Sequence, residues 1–534
     1  MLAVAFVLLI ACANVANLLL ARSEARQREI AVRTAIGAGW SRLLGQLITE
    51  SCVFAAIAAV LGVALASTGL EVLLAATPVA FPSFVHPHVD MRSAAFTIAL
   101  SFIVGIVLGL APAMHGRASR LSDALKESAR GSVSRRARLV RSALVISEVS
   151  LAVVLLVGAA LMIRTVQHLV AVDPGFDPDR VLTARVSIPR RAADQSSDGP
   201  GPLVVSARTL LDRVGALPGV TNASLVSDPP LSGLDSAVFY TAEGQGVTNA
   251  QTMPRAYVHR ALPDFFTTMG IPILHGRTFL DSELTATSGV VIASEQVVTR
   301  FWPTQDPIGK RIKLGPLASA NPWLTIVGVA REVKYRGLPE NPTADPDLYF
   351  PFLDRSQQVS LVIRTASEPG GLIGSVRQVI REVDPGIPVF GVFTMAERIA
   401  DQTAQSRFTT WVLGAFGAIA LLLSTVGIYG VMSYLVAQRT REVGIRIALG
   451  ATPRQIVQLI VGRGALLVGS GIVAGAAASI ALQRVMSTLL FHVSILDAAT
   501  IAAIAILAVT GVLACYVPAL RAARVDPLVA LRAE

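Results

Sequence analysis

Charged side chains are scarce in this chain. Of its 534 residues only 15% are Asp, Glu, Lys or Arg, against about 25% in an ordinary soluble domain. With 53% apolar residues beside them, that deficit excludes both a typical soluble enzyme and a disordered chain. Lysine is rarer still, at Lys126, Lys310, Lys313 and Lys334. None completes a G-x-x-x-x-G-K-[ST] phosphate loop, since Gly309-Lys310 is followed by Arg311. The chain cannot bind nucleotide in that way, so any energy must come from a partner. HExxH and G-x-S-x-G are also missing, so no catalytic residue and no cofactor is expected. The three cysteines, Cys12, Cys52 and Cys515, all fall in apolar runs, which leaves no disulfide framework and no CxxC metal site.

What is present is long apolar runs flanked by arginine. A hydrocarbon core of about 30 Å needs roughly 20 apolar residues in a helix. Seven stretches qualify: Leu2–Ala21, Leu47–Ala76, Ser93–Met114, Leu144–Ile163, Thr410–Ala437, Gly464–Leu482 and Ala498–Val517. The formal charge of +10 lies outside the polar middle: residues 164–407 carry 23 basic and 24 acidic side chains, and the rest carry 23 and 12. Arginine clusters follow the first, third, fifth and seventh stretches, among them Arg22–Arg42, Arg117–Arg141 and Arg439–Arg454. By the positive-inside rule these loops are cytoplasmic, so residues 164–407 lie outside and the carboxyl terminus inside. No aromatic platform accompanies the arginines, and nucleic acid is not an expected partner; the lipid bilayer is.

The fold class expected is a polytopic α-helical membrane protein with seven spans and an inserted mixed α/β domain. Four segments follow: a three-span half over 1–141, a single span over 142–163, an external domain over 164–407, and a second three-span half over 408–534. In the external domain, strands are expected at Val181–Ile188, Val290–Ala293, Leu324–Val329 and Val359–Thr365, with helices at Ser206–Ala216, Glu295–Phe301 and Leu372–Val383. Gln195–Pro202 reads as a flexible loop.

The two hydrophobic halves repeat each other. Arg28-Glu29-Ile-Ala-Val-Arg33-Thr-Ala-Ile-Gly37-Ala aligns with Arg441-Glu442-Val-Gly-Ile-Arg446-Ile-Ala-Leu-Gly450-Ala, and both directly follow a span on the cytoplasmic side. Pro112-Ala113 and Pro518-Ala519 then end the third and seventh spans alike. Glu four residues before Arg is the favourable order for a helix-surface pair, and Gly37 and Gly450 are placed to end the helices in a left-handed conformation. Short amphipathic helices are thus expected near 22–46 and 438–462, suited to docking a cytoplasmic protein.

Further phrases carry a resemblance. Ala11-Cys-Ala-Asn14-Val-Ala-Asn17-Leu-Leu-Leu-Ala-Arg22 and the two Arg-Glu segments are joined in the middle domain by Asp173-Pro-Gly-Phe176 and Phe265-Phe-Thr-Thr-Met-Gly270. Phe301-Trp-Pro303, Pro307-Ile-Gly-Lys310 and Ile326-Val-Gly-Val329 follow. In this order they resemble permeases of the MacB/FtsX class of ABC transporters, and more closely the duplicated orphan permeases of acidobacteria. Against that pattern the chain lacks a first helix and a first periplasmic domain. The resemblance implies a bacterial inner-membrane permease that relays the motion of a separate, dimeric cytoplasmic ATPase to the periplasmic domain. Arg28, Glu29, Arg33 and Gly37 would meet the ATPase in one half, and Arg441, Glu442, Arg446 and Gly450 in the other. A second permease unit or a periplasmic adaptor are further partners it implies. A non-transporting scaffold or signalling protein acting on periplasmic enzymes, or an inactive truncated remnant, is the alternative.

Smaller features read structurally. His86-Pro87-His88 with Asp90 is an ordinary polar loop rather than a metal site. Asn14 and Asn17 should face the helix bundle, and Glu148 should pair with Arg141, two turns away. Gly105-x-x-x-Gly109 and Gly471-x-x-x-Gly475 should permit close helix approach. The fifth span, taken from Phe408 to Ala437, is about 30 residues or 45 Å long and should project beyond the bilayer as a stalk.

Overall fold

The computed structural model describes residues 2–35, 40–76, 88–116, 135–187, 202–233, 236–245, 253–284, 288–338, 345–351, 358–486 and 497–524. Four helices come first: α1 (Leu2–Ala35), α2 (Trp40–Ala76), α3 (Met91–Gly116) and α4 (Arg135–Ala171). Next come β1 (Val181–Ser187), α5 (Pro202–Gly215), β2 (Val220–Val226), β3 (Ala237–Ala242), β4 (Arg255–Ala261), α6 (Phe265–Met269) and β5 (Ile273–Gly276). They are followed by β6 (Val290–Ser294), α7 (Glu295–Phe301), β7 (Arg311–Leu314), β8 (Trp323–Ala330), β9 (Asp347–Pro351) and β10 (Gln358–Thr365). The chain closes with α8 (Ile373–Val383), β11 (Val389–Thr394), α9 (Met395–Gln438), α10 (Thr440–Ala448), α11 (Pro453–Met486) and α12 (Ala498–Ala523). Two compact units result, one of residues 1–168 with 404–534, the other of residues 169–403.

In the helical unit, six helices among the described residues are long and apolar enough to cross a membrane. The remaining expected span, Ser93–Met114, falls on α3, whose described apolar stretch is Met91–Val107. The duplication has a structural counterpart at the helix starts. Asp90 caps α3, its carboxylate accepting from the Ser93 amide at 2.8 Å, and Asp497 caps α12 by accepting from the Ala498 amide at 2.7 Å. One apolar core joins α1, α4, α9, α11 and α12 through Ile10, Val149, Ala420, Val468 and Leu507. Close approach of α4 and α11 rests on the second glycine pair. A Cβ at Gly471 or at Gly475 would lie 2.6 Å from the Cβ of Val149 or of Val153, so no side chain fits there. Gly105 of α3 similarly faces Ala55 of α2 at 3.0 Å.

α9 is longer than expected: its 44 residues start at Met395, inside the segment assigned to the external domain. The reason is local. Thr394 and Glu397 form a reciprocal capping box, the Thr394 amide donating to Glu397 at 2.7 Å and the Glu397 amide to the Thr394 hydroxyl at 3.1 Å. Met395 is fully buried, so the polar start of the helix is fixed before its apolar part begins.

The other unit is mixed α/β, as its alternating strand and helix signals imply. β11, β1, β10 and β2 form an open antiparallel sheet. α5 and α8 cover one face of it with Ala207, Leu210 and Val214 and with Val376 and Ile380, spaced for one helix stripe. From β2 the pairing passes to β4, and from there β3, β7, β8, β6 and β9 follow and return to β4. Those six strands make a closed ring around Tyr240, Val291, Trp302, Ile312, Ile326 and Leu348. The four expected strands and three expected helices are found; β2, β3, β4, β5, β7, β9 and β11 were not expected. Gln195–Pro202 lies outside the described residues except for Pro202, which opens α5 instead of ending a loop.

The phrases behind the resemblance serve turns and close contacts in this unit. Gly175 (φ +81°) sits where a Cβ would be 2.0 Å from the Glu332 carbonyl oxygen. Gly270 (φ +67°) ends α6, where a Cβ would be 2.8 Å from that of Asp177. Arg364 locks the two phrases together, donating to the Asp177 carboxylate at 2.7 Å, to its carbonyl at 3.1 Å and to the Thr268 carbonyl at 2.8 Å.

Candidate coupling segments and an intramembrane polar cluster

The second of the repeated segments is described in side-chain detail. It is the nine-residue helix α10, separated from α9 by Arg439. Glu442 accepts from Arg446 at 2.7 Å, in the four-residue spacing expected, and Arg439 lies 3.5 Å from the same carboxylate. Gly450 adopts φ +94°. Its amide donates to the Ile447 carbonyl at 3.0 Å and the Ala451 amide to the Arg446 carbonyl at 2.9 Å, the double closure of a Schellman turn. α11 then starts at once. The Thr452 amide donates to the Gln455 side chain at 2.9 Å, the Gln455 amide to the Thr452 hydroxyl at 3.4 Å, and Pro453 takes the first helical position. A short helix fixed at its C-terminal end by such a turn keeps its outer face in a defined place. On that face Leu449 is 82% exposed and Ile445 45%, one turn apart.

Of the first segment, Arg28, Glu29 and Arg33 lie on the last turns of α1, which runs unbroken to Ala35. Gly37 lies outside the described residues. Where the second copy breaks between α9 and α10, the first continues one helix. His86 and Pro87 also lie outside the described residues; His88 is exposed and Asp90 is the α3 cap.

Within the helical unit, polar groups gather where α1, α4 and α9 meet. Asn14, Asn17, Arg141 and Glu148 are all buried. The Asn14 amide donates to the Leu423 carbonyl at 2.8 Å. Glu148 does not pair with Arg141: neither carboxyl oxygen has a hydrogen-bond partner. The guanidinium of Arg141 lies 4.2 Å from the ring centre of Tyr434, one turn or more nearer the arginine-rich end. The seven-residue spacing places Arg141 and Glu148 about 10 Å apart along the helix, and Asn14 from α1 occupies the nearer position.

In the α/β unit a second polar cluster is buried in the core. His259 of β4 lies between Asp228 and Asp347, with Arg336 donating to Asp347 at 3.2 Å and the Tyr335 ring stacked on the imidazole at 3.7 Å. Burial alone would depress the imidazole, yet the two carboxylates outweigh it and push the His259 pKa up to about 9. Both ring nitrogens are already engaged, so this cluster is an ion network and not a metal-ligating set. Among the described residues no His/Cys/Asp/Glu group is arranged to hold a metal.

Fold and sites together define a polytopic helical membrane protein with an inserted mixed α/β domain. Residues 1–120 and 414–527 match the FtsX-like permease C-terminal family, and residues 142–383 the MacB-like periplasmic core domain. These domains, in this order, are those of a MacB/FtsX-type ABC permease, a multi-pass protein of the inner membrane. Among curated relatives, the macrolide export ATP-binding/permease protein MacB of Hahella chejuensis is 28% identical over 51% of this chain and 42% of its own length. The pyoverdine export ATP-binding/permease protein PvdT of Pseudomonas syringae pv. tomato is 26% identical over 49% of this chain and 40% of its own. The uncharacterized ABC transporter permease YvrN of Bacillus subtilis is 24% identical over 59% of this chain and 78% of its own. The chain thus spans less than half the length of the two export proteins.

Proposed function

We propose that this chain is the permease subunit of an ABC-type efflux or mechanotransmission system. A separate cytoplasmic ATPase docks on the repeated segments, and its motion passes through the spans to the periplasmic domain. The observation that carries this reading is α10. An ion-paired, firmly capped short helix that leaves Ile445 and Leu449 uncovered by the rest of the chain is a docking surface with a defined orientation. Arg441, Glu442, Arg446 and Gly450 are its coupling residues, and Arg28, Glu29, Arg33 and Gly37 are their counterparts in the first copy. With α10 in the cytoplasm, the carboxyl terminus lies there too.

Two matches to one permease family within the chain support placing it among duplicated permeases such as the orphan group of acidobacteria. The ATPase is a dimer facing both copies, or facing this chain and a second permease unit. A periplasmic adaptor is the further partner.

Gentle purification from native membranes followed by mass spectrometry tests the reading. A P-loop ATPase should accompany the chain and be lost when Glu29→Arg and Glu442→Arg are combined. Leu449→Asp should weaken the association at least tenfold without loss of folded protein, since the rest of the chain leaves that side chain 82% exposed. Retention of the ATPase by all these variants would rule out these residues as the docking surface. Recovery of the wild-type chain with no ATPase would favour a scaffold role.

A further inference from the structure

The junction of α1, α4 and α9 holds a carboxyl group that the permease reading does not use. Glu148 is wholly buried, and neither of its oxygens meets a hydrogen-bond donor. Gly427 of α9 makes the space it occupies. A Cβ at that position would lie 2.5 Å from both Glu148 oxygens and 2.1 Å from the Asn14 Oδ1. Three oxygens from two side chains therefore crowd one point. The Asn14 Nδ2 is committed to the Leu423 carbonyl at 2.8 Å, so its Oδ1 faces Glu148 as an acceptor. An ionised carboxylate is also acceptor-only. Two acceptors meeting inside a membrane require a donor between them.

The charged and polar groups around the site are few. Arg141 lies two turns away on the same helix and is stacked on Tyr434 of α9. α1 contributes the amides of Asn14 and Asn17, and α11 presents Gly471 and Gly475 to this stretch of α4. Beside the site is a cavity of about 30 Å³, lined by Asn14, Asn17, Arg141, Gly427 and Tyr434. Asn17 is 95% buried by its 5% exposure, and neither of its amide atoms has a partner. That volume accommodates a water, for which Asn17 supplies both a donor and an acceptor.

We propose that Glu148 is an intramembrane proton-binding site whose proton clasps three helices. The Glu148 hydroxyl donates to Asn14 Oδ1, and Asn14 Nδ2 donates to the Leu423 carbonyl, which ties α4 to α1 and α1 to α9. The proton comes from water in the adjoining cavity and returns there. Its release leaves a carboxylate facing the Asn14 oxygen, which drives the helices apart. Binding and parting are therefore linked: motion that separates these helices admits water and discharges the site, and recharging it restores the packing.

The test uses the full chain in lipid nanodiscs. Infrared spectra of wild type and Glu148→Gln are compared at neutral pH in water and in D₂O. The wild type should show the carbonyl band of a protonated carboxyl, shifted by D₂O and absent from Glu148→Gln. A difference confined to carboxylate bands would overturn the proposal. Gln retains a donor for Asn14, so the variant should fold, and its melting temperature should fall less than that of wild type as pH is raised, the part due to His259 remaining in both. Equal pH dependence in the two would count against the proton. Replacing sodium by choline should leave wild-type melting unchanged; a sodium-dependent rise would assign the site to a metal cation instead.

Discussion

The Nε2 of His259 lies 2.9 Å from Oδ1 of Asp347 with both side chains fully excluded from solvent. The other ring nitrogen is 2.6 Å from Asp228. Because the folded value is raised from 6.5 to about 9, the protonated imidazole stabilises the fold fully below about 6.5. That contribution is lost as pH rises through about 9. Hydrogen exchange of β4 and β9 in the intact chain, corrected for intrinsic rates, should therefore accelerate between pH 7 and pH 10. His259→Leu removes the imidazolium from Asp228 and leaves Asp347 with Arg336 alone, and should cost on the order of 3–5 kcal/mol, with the alkaline transition abolished.

A second prediction concerns the glycine pair of α11. Gly475→Ala brings a methyl to 2.7 Å from the Ser150 carbonyl oxygen as well as against Val153. Backbone cannot yield as a side chain can, so a loss of about 1–3 kcal/mol is expected. Gly469→Ala, on the same helix with nothing within 4 Å, is the control and should be neutral. Thermal unfolding in nanodiscs separates the two.

Arg364 supplies the third. Its planar fork reaches Thr268, Asp177 and the Asp179 carbonyl together. Arg364→Lys keeps the charge but can fill only part of that set, so about 2–3 kcal/mol should be lost. Unfolding monitored by the fluorescence of Trp302 and Trp323, both in this unit, measures it.

Apolar run length and arginine placement made the membrane helices legible, since both follow from the solvent and not from distant contacts. β6, β8 and β10 were legible because each is dense in β-branched and other apolar residues, at Val290–Ala293, Leu324–Val329 and Val359–Ile363, with few polar interruptions. β3, β7 and β9 were not: short strands of a closed ring, with Lys313 or Asp347 among their residues, lack a clear alternation. The start of α9 was hidden because its first turns are polar and gain their helical state from the Thr394–Glu397 cap. At the polar clusters the residues were legible and the partners were not. Glu148 was expected to meet Arg141, its neighbour in sequence, and instead meets Asn14, from another helix. The His259 network joins positions 31 and 88 residues apart, and no spacing rule links them. The exposure of Leu449 likewise depends on the turn at Gly450, although the glycine itself was visible in the repeat.

The closed ring of six strands leaves the open sheet and rejoins it at one place. Val226, the last residue of β2, is the register partner of Ser360 at the start of β10. Everything between them enters and leaves through two adjacent strand ends, about 5 Å apart at the Cα atoms, and packs back on the sheet through Phe265, Phe266 and Met269 in one core with Val181 and Val362. A change within the insert that spares α6 leaves the pairing of β1, β10 and β2 in place, whereas removing α6 also takes from β10 the contact of Arg364 with the Thr268 carbonyl. Ring and open sheet are therefore joined twice, by backbone at the β2 and β10 ends and by one shared core, so a load applied to the ring is carried into the sheet by packing as well as by the chain.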